Sequence, residues 1–334
     1  MTCFMSLQQY TRGEKFMKNM NKVLAGLMAA GLLLTTGCAS TSTNSSSSTS
    51  DWYTGPGYDK LYEELGKADV DLSKADGKLK DILDKGQIVL ATSPDYPPSE
   101  FVDDQGNVKG SDIMLAQYIA NSLGVDLKVE TMDFNAVLTA VDTGKVDIGI
   151  SGFGYKADRA EQFELSHGYQ SSSVAAHHTI LVPAEKADEY KSLADFSGKK
   201  IDTQANSLQE MYVTDQIPDA DLQKVATLDQ AILELQTGKI DAIALDSTTA
   251  KNYAETSDGM FVSVYEKNGV EFDLSQYADE SGNVAAVKKG ETSLIDAVNQ
   301  VIDSLATSGK YESNLYTDMY YAACDAAGVS PNEE

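Results

Sequence analysis

The chain has 334 residues, three cysteines, and 51 acidic against 26 basic side chains, for a formal net charge of −25. So acidic a surface repels nucleic acid and anionic lipid headgroups, which excludes a polyanion partner and electrostatic docking on a membrane. The length suffices for one large or two modest domains that stand without disulfides.

The first segment reads as an export signal. Arg12, Lys15, Lys18 and Lys22 make a basic start, with Met17 and Met20 as alternative translation starts. Residues 23–34 are apolar, an interval of 12 residues, whereas a helix spanning a bilayer needs about 20. Thr35-Thr36-Gly37 and then Cys38 follow, which resembles the lipobox of bacterial lipoproteins, with Thr35 where that pattern most often has Leu. The resemblance implies cleavage after residue 37 and a diacylglycerol on the Cys38 sulfur. Cleavage removes four basic residues and one acidic one and takes the net charge to −28. Cys3 then leaves with the signal and Cys38 carries lipid, so Cys324 has no partner for a disulfide.

Residues 39–50 are almost all Ser and Thr and cannot bury anything, so they are expected to form a flexible tether. Residues 51–75 hold Trp52, Tyr53, Tyr58 and Tyr62 and read as an extension packed on the body. The regular pattern starts at Asp76. Gln87-Ile88-Val89-Leu90-Ala91-Thr92 predicts a buried strand. Ile113, Ala116, Ile119, Ala120 and Leu123 fall at helical spacing, which predicts a helix over 111–123 closed by Gly124. A strand over 125–131, a helix over 134–141 and a buried strand over 146–150 follow. Strands alternating with helices predict an α/β fold with mostly parallel sheets.

One internal echo predicts two lobes of similar build. Residues 136–151 read AVLTAVDTGKVDIGIS and residues 231–245 read AILELQTGKIDAIAL. Each is a helix, then Thr-Gly-Lys-(Val/Ile)-Asp, then a short apolar strand. The Gly suits a left-handed helix cap, the Asp opens the strand, and Lys145 and Lys239 suit the negative helix ends.

Ligands bind α/β sheets off the carboxyl ends of the strands. Those positions hold Ser93-Pro94-Asp95-Tyr96-Pro97-Pro98, then Ser151-Gly152-Phe153-Gly154 with Arg159 a turn later, then Thr203-Gln204-Ala205-Asn206-Ser207, then Asp246-Ser247-Thr248-Thr249. One lobe offers an arginine, which fits a carboxylate in a two-pronged pair. The other offers an aspartate, which suits an ammonium. A ligand with both charges on one carbon is an α-amino acid. Each residue also has a plainer reading: Arg159 as a solvated charge beside Asp158 and Glu161, Asp246 as a helix cap, Tyr96 and Phe134 as core aromatics, Gly152 and Gly154 as turn residues.

At these residues the sequence resembles the amino-acid-binding family of bacterial solute-binding proteins that serve ABC transporters. The resemblance covers residues 86–323. It rests on an ordered set: Ala91-Thr92-Ser93-Pro94-Asp95-Tyr96-Pro97-Pro98-Ser99-Glu100-Phe101, Gly110-Ser111-Asp112-Ile113, Met132-Asp133-Phe134, Ser151-Gly152, Asp158-Arg159, Leu193-Ala194-Asp195-Phe196-Ser197-Gly198-Lys199-Lys200, Asp241-Ala242-Ile243-Ala244-Leu245-Asp246-Ser247 and Val287-Lys288-Lys289-Gly290. It implies a two-lobed periplasmic-binding-protein-like fold of type II, with a mostly parallel sheet in each lobe and a two-strand hinge. Lobe 1 is expected over 76–180 and 284–330, lobe 2 over 181–283, and the hinge near residues 179–182 and 284–287.

The resemblance also implies roles. Arg159 pairs with the ligand's α-carboxylate, helped by backbone N–H groups near Gly152 and Gly154 and by Ser207. Asp246 pairs with the α-ammonium, helped by a carbonyl of Ser151 or Gly152. Tyr96 and Phe134 sandwich the ligand side chain, and Ser93 and Gln204 help select it. Family members usually carry Thr or Ser where Gly154 stands, and those with basic ligands often carry an acid at Ser93. The implied protein is a monomer without cofactor or metal that delivers a free amino acid to a membrane permease. His177-His178 invite a metal reading, but His167 is the one other histidine.

Two other functions compete with this reading. The same fold resembles dehydratases of cyclic acids, but the sequence has no Gly-x-Ser-x-Gly, no phosphate loop and no Cys–His pairing in the pocket region. A ligand-sensing module would call for an output segment beyond the body.

Overall fold

The computed structural model describes residues 57–170, 177–277, 282–308 and 314–331. All of these fall in the compact unit Ser48–Glu334. The signal segment, Cys38 and the Ser/Thr tether lie outside the described residues, as do Trp52 and Tyr53. No helix among the described residues is long and apolar enough to cross a membrane.

Two five-stranded sheets organise the body. In chain order the strands are β1 (Gln87–Thr92), β2 (Asp95–Tyr96), β3 (Glu100–Val102), β4 (Val108–Lys109), β5 (Asp126–Thr131), β6 (Ile148–Gly149), β7 (Phe163–Leu165), β8 (His178–Pro183), β9 (Lys200–Gln204), β10 (Asp221–Val225), β11 (Ala242–Asp246), β12 (Phe261–Ser263) and β13 (Ala286–Lys288). The helices used below are α1 (Gly57–Glu64), α2 (Gly77–Lys85), α3 (Ser111–Leu123), α4 (Phe134–Asp142), α5 (Ala157–Gln162), α6 (Leu208–Gln216), α7 (Leu228–Gln236), α8 (Ser247–Thr256), α9 (Val264–Asn268), α10 (Thr292–Ser308) and α11 (Leu315–Ala327).

The first sheet runs β5-β1-β6-β13-β7 and the second β10-β9-β11-β8-β12. In each, three strands are parallel and two join antiparallel. The antiparallel strand beside the central one is the first that the chain lays down on entering that lobe from the other, β8 outbound and β13 returning. A small hairpin sheet, β2-β3-β4, belongs to the first lobe.

Both faces of each sheet are covered, and the alternation of side chains sends neighbours to opposite cores. Ile88 and Leu90 enter one core of the first lobe, Val89 and Ala91 the other. Ile180 and Val182 enter one core of the second lobe, Leu181 the other. The α3 helix is apolar nearly all round and buried along most of its length, as such a helix must be. It ends on Gly124 at φ 72°, the left-handed cap that its sequence predicts.

The described residues of the 51–75 segment pack on the first lobe. Tyr58, Leu61, Leu65 and Ala68 join the core that α11 helps build. The Gly57 N–H donates to Asp325 Oδ2 at 3.2 Å, and the Ala68 N–H to Ser122 Oγ at 2.9 Å.

The hinge expectation needs correcting. Residues 179–182 lie inside β8, paired with β11 and β12, so they belong wholly to the second lobe. Residues 284–287 belong to the first, where the Val284 N–H donates to the Phe153 carbonyl at 2.7 Å. The chain therefore changes lobe before His178 and again between Tyr277 and Gly282. An apolar run marks a strand but does not say which sheet it joins.

Candidate functional site

The carboxyl ends of β1 and β6 in one lobe face those of β9 and β11 in the other. Between them is a cleft of about 270 Å³. Tyr96, Phe134, Ser151, Gly152, Gly154, Arg159, Gln204, Ser207 and Asp246 all line it. These are nine of the ten predicted binding residues. The tenth, Ser93, is buried one layer below: its N–H donates to Ser151 Oγ at 3.0 Å and its Oγ to Asp95 Oδ1 at 3.0 Å.

Arg159, on the single-turn α5, comes from the first lobe. Its guanidinium donates to the Gly154 carbonyl and, at 3.0 Å, to the Asn206 carbonyl of the second lobe. It also lies 5.2 Å over the Phe153 ring. Only 4% of Arg159 is exposed, so the solvated-charge reading fails. Facing it are two helix N-termini of the second lobe. Ser207 caps α6 by accepting the Glu210 N–H at 3.1 Å, which leaves its hydroxyl proton for another acceptor. Asp246 caps α8, with Oδ1 accepting the Thr249 N–H and Oδ2 the Thr249 hydroxyl, both at 2.9 Å. The capping reading of Asp246 is therefore right, and the residue lines the cleft as well.

Tyr96 crosses from the first lobe to the second. Its hydroxyl accepts the Asp246 N–H at 3.0 Å and Gln209 Nε2 at 3.2 Å. Burial, then the Asp246 charge, hold its pKa well above the usual phenol range. Phe134 opens α4 and packs on Phe153, 4.9 Å between ring centres.

Two expected contacts differ. The Gly152 N–H donates to Asp112 Oδ2 at 2.8 Å rather than into the cleft. Gln204 lines the cleft and is also tied through Nε2 to Asp95 Oδ2 of the other lobe at 3.1 Å. Beneath the Ser151–Gly152 backbone lies a pair of fully buried acids. Asp112 also accepts the hydroxyls of Tyr169 and Tyr316 at 2.9 and 2.8 Å, while Ser151 Oγ donates to Glu100 at 3.0 Å. Burial and the neighbouring Asp112 push the Glu100 pKa far above the usual carboxylate range.

Several cleft residues escaped the sequence reading. Gln209 and Tyr212 lie on the first turns of α6, where counting on from Ser207 would have found them. Thr248 and Thr249 directly follow Asp246. His178 had no such signal, since its place depends on β8 pairing with β11. It is half-buried and accepts from Gln209 Nε2 at 2.9 Å, and loss of solvent drives its pKa down to about 4. His177 instead pairs with Glu271, and His167 with Asp303 at 2.7 Å. Among the described residues no group of three or more His, Cys, Asp or Glu is arranged to hold a metal.

The arrangement offers a guanidinium from one lobe, a carboxylate and two helix N-termini from the other, and aromatic walls. The sequence of the arginine-binding extracellular protein ArtP of Bacillus subtilis is 28% identical over 235 residues, 68% of this chain and 84% of that one. The L-cystine-binding protein TcyJ of Escherichia coli K12 is 25% identical over 239 residues, 71% and 84% of the two chains. Among solved structures, an amino acid ABC transporter substrate-binding protein from Streptococcus pneumoniae bound to L-arginine matches with a TM-score of 0.66 and 31% identity. It covers 77% of this chain and 100% of that one. The ancestral amino-acid-binding protein AncCDT-1, a precursor of cyclohexadienyl dehydratase, matches with a TM-score of 0.62 and 28% identity, over 73% of this chain and 100% of that one. The pattern of the bacterial extracellular solute-binding proteins, family 3, spans residues 88–317, and the chain belongs to that family.

Proposed function

We propose that the protein is the extracytoplasmic binding component of an amino-acid ABC transporter. It closes two lobes on a free L-amino acid and presents it to a permease, held at the membrane by lipid on Cys38. The observation that carries this reading is the opposition of Arg159 and Asp246 across one cleft, each from a different lobe. Arg159 takes the α-carboxylate, together with the Ser207 hydroxyl. Asp246 takes the α-ammonium, its geometry fixed by the α8 cap. Ligand contacts made in both lobes exist together only in the closed form, so the ligand shifts the equilibrium by its preference for that form.

Binding without turnover is supported by relatives described as binding proteins. His178, kept neutral by burial, and the glutamines beside it suit a hydrogen-bonding side chain.

The test is a thermal-shift screen of the protein against the standard L-amino acids and L-cystine. A ligand at 100 times its dissociation constant adds about 2.7 kcal/mol of stability. Arg159→Ala and Asp246→Asn are each expected to weaken binding of the selected amino acid at least roughly 100-fold by calorimetry, because each leaves a buried ligand charge unpaired. Asp246→Asn keeps an acceptor for the Thr249 N–H, so it separates loss of the ammonium contact from loss of the cap. Unchanged affinity in either variant would discard the site assignment.

A further inference from the structure

Asp95 belongs to the first lobe, at the start of β2, yet its closest partners belong to the second. Its Oδ2 accepts the Leu228 N–H at 2.7 Å and Gln204 Nε2 at 3.1 Å. Leu228 is the first residue of α7, so the carboxylate rests on the positive end of that helix. The Asp95 backbone carbonyl accepts the Tyr253 hydroxyl from α8 at 3.0 Å. From its own lobe the carboxylate receives the Ser93 hydroxyl at 3.0 Å. Next along the chain, the Tyr96 hydroxyl meets the Asp246 N–H, and the Thr249 hydroxyl, which it shares with Asp246, lies 3.0 Å from the Pro97 carbonyl. The 95–97 segment, held in the first lobe where β2 pairs with β3, thus reaches across to the second lobe at each of its three residues.

We propose that Asp95 is a positioning residue for lobe closure, a latch whose carboxylate docks on the α7 N-terminus and Gln204 in the closed form alone and so slows escape of the bound amino acid. This rests on the binding function proposed above. In the open form the carboxylate returns to water and contributes nothing, which separates a latch from an ordinary buried contact. It also explains why Ser93 sits below the cleft: its hydroxyl holds Asp95 rather than a ligand. The latch is sensitive to acid. Burial, with Asp229 of α7 adding like charge, raises the Asp95 pKa to about 6, and Glu100 of β3 is a further acid beside it. The ordinary value in water is about 3.9. A pKa higher in the closed form means that closure takes up a proton, so moderate acid favours the closed state.

The experiment compares Asp95→Ala and Asp95→Asn with the unaltered protein, using the tightest-binding amino acid of the screen. For Asp95→Ala the dissociation rate is expected to rise roughly 10- to 100-fold, because the buried Leu228 N–H is left without its acceptor, with the association rate nearly unchanged. The ligand-free melting temperature stays where it was. Asp95→Asn, which keeps an acceptor for the Leu228 N–H, recovers most of the slow dissociation. An unchanged dissociation rate in Asp95→Ala overturns the latch, and so does a fall in ligand-free stability matching the loss of affinity. Failure of the unaltered protein to bind any amino acid would instead count against the transport function. The latch is then read by small-angle scattering: the unaltered protein contracts between pH 8 and pH 5 and Asp95→Ala does not. No contraction, or the same contraction in both, overturns it.

Discussion

Leu208 occupies the space that a side chain at residue 154 would need. A Cβ added to Gly154 would lie 2.2 Å from Leu208 Cδ1 and 3.0 Å from its Cγ. Gly154 is in the first lobe and Leu208 opens α6 in the second, so the missing side chain is a condition of close approach between lobes. Gly154→Thr is therefore expected to weaken ligand affinity roughly tenfold or more, the cost of overpacking, and to leave the ligand-free melting temperature unchanged. Calorimetry and thermal unfolding on the same variant check both halves. At Gly152 the reason for glycine is different: φ is 55°, and that turn aims its N–H at Asp112.

At the scale of elements, the repeated Thr-Gly-Lys-(Val/Ile)-Asp unit does the same work twice. Gly144 and Gly238 both end their helices with a left-handed backbone, at φ 70° and 71°. Asp147 then bonds the backbone of β1, accepting the Val89 N–H at 2.8 Å and donating its own N–H to the Val89 carbonyl at 3.0 Å. Asp241 makes the matching pair with Lys200 of β9, at 3.1 and 2.9 Å. Each unit thereby sets the register of a central strand, β6 or β11, whose carboxyl end carries Ser151–Gly152 or Asp246. The extension helix α1 works at a distance from the cleft. Leu61 is 6% exposed in the core shared with α11. Leu61→Ala is expected to destabilise the protein by about 2–4 kcal/mol and leave ligand affinity within twofold. Denaturant unfolding and calorimetry distinguish this from a role in the site.

At the scale of the whole molecule, the buried acids set an unusual pH dependence. Asp202 is raised to about 6, chiefly by burial, and Glu100, Asp112 and Asp229 are also raised. The Asp202 oxygens have no hydrogen-bond partner among the described residues. A carboxyl whose folded pKa exceeds its unfolded one contributes stability at low pH and loses it as pH rises through the folded value. His178, lowered to about 4, acts in the opposite sense between pH 6.5 and 4. Hydrogen-bonded carboxylates with lowered pKa values, such as Asp103, Asp195 and Glu234, lose their contribution below about pH 4. The melting temperature is thus expected to rise between pH 7.5 and 5 and to fall again below 4. Asp202→Asn should raise it at pH 7.5 and have little effect at pH 4. A flat profile from pH 7.5 to 5, in both proteins, would contradict this.

The sequence by itself determined the local and periodic features. A continuous apolar run gave β1 and an alternating one β5, helical spacing and Gly124 gave α3, and the repeated Gly-Lys-(Val/Ile)-Asp unit announced two lobes of one plan. These depend on short-range preferences that a few neighbouring residues carry. Because ligands meet α/β sheets at strand ends, the candidate residues of the cleft could be listed from strand ends alone. Only the tertiary structure decided which sheet β8 joined, and hence where the chain changes lobe and why His178 reaches the cleft. It also decided that Gln204 and Ser93 hold Asp95, that Gly152 serves Asp112, and that Leu208 stands in for a side chain at Gly154. Apart from Ser93 and Asp95, which are near neighbours in the chain, those contacts join residues tens to more than a hundred positions apart. They follow from the packing within each lobe and of one lobe against the other, which no local pattern encodes.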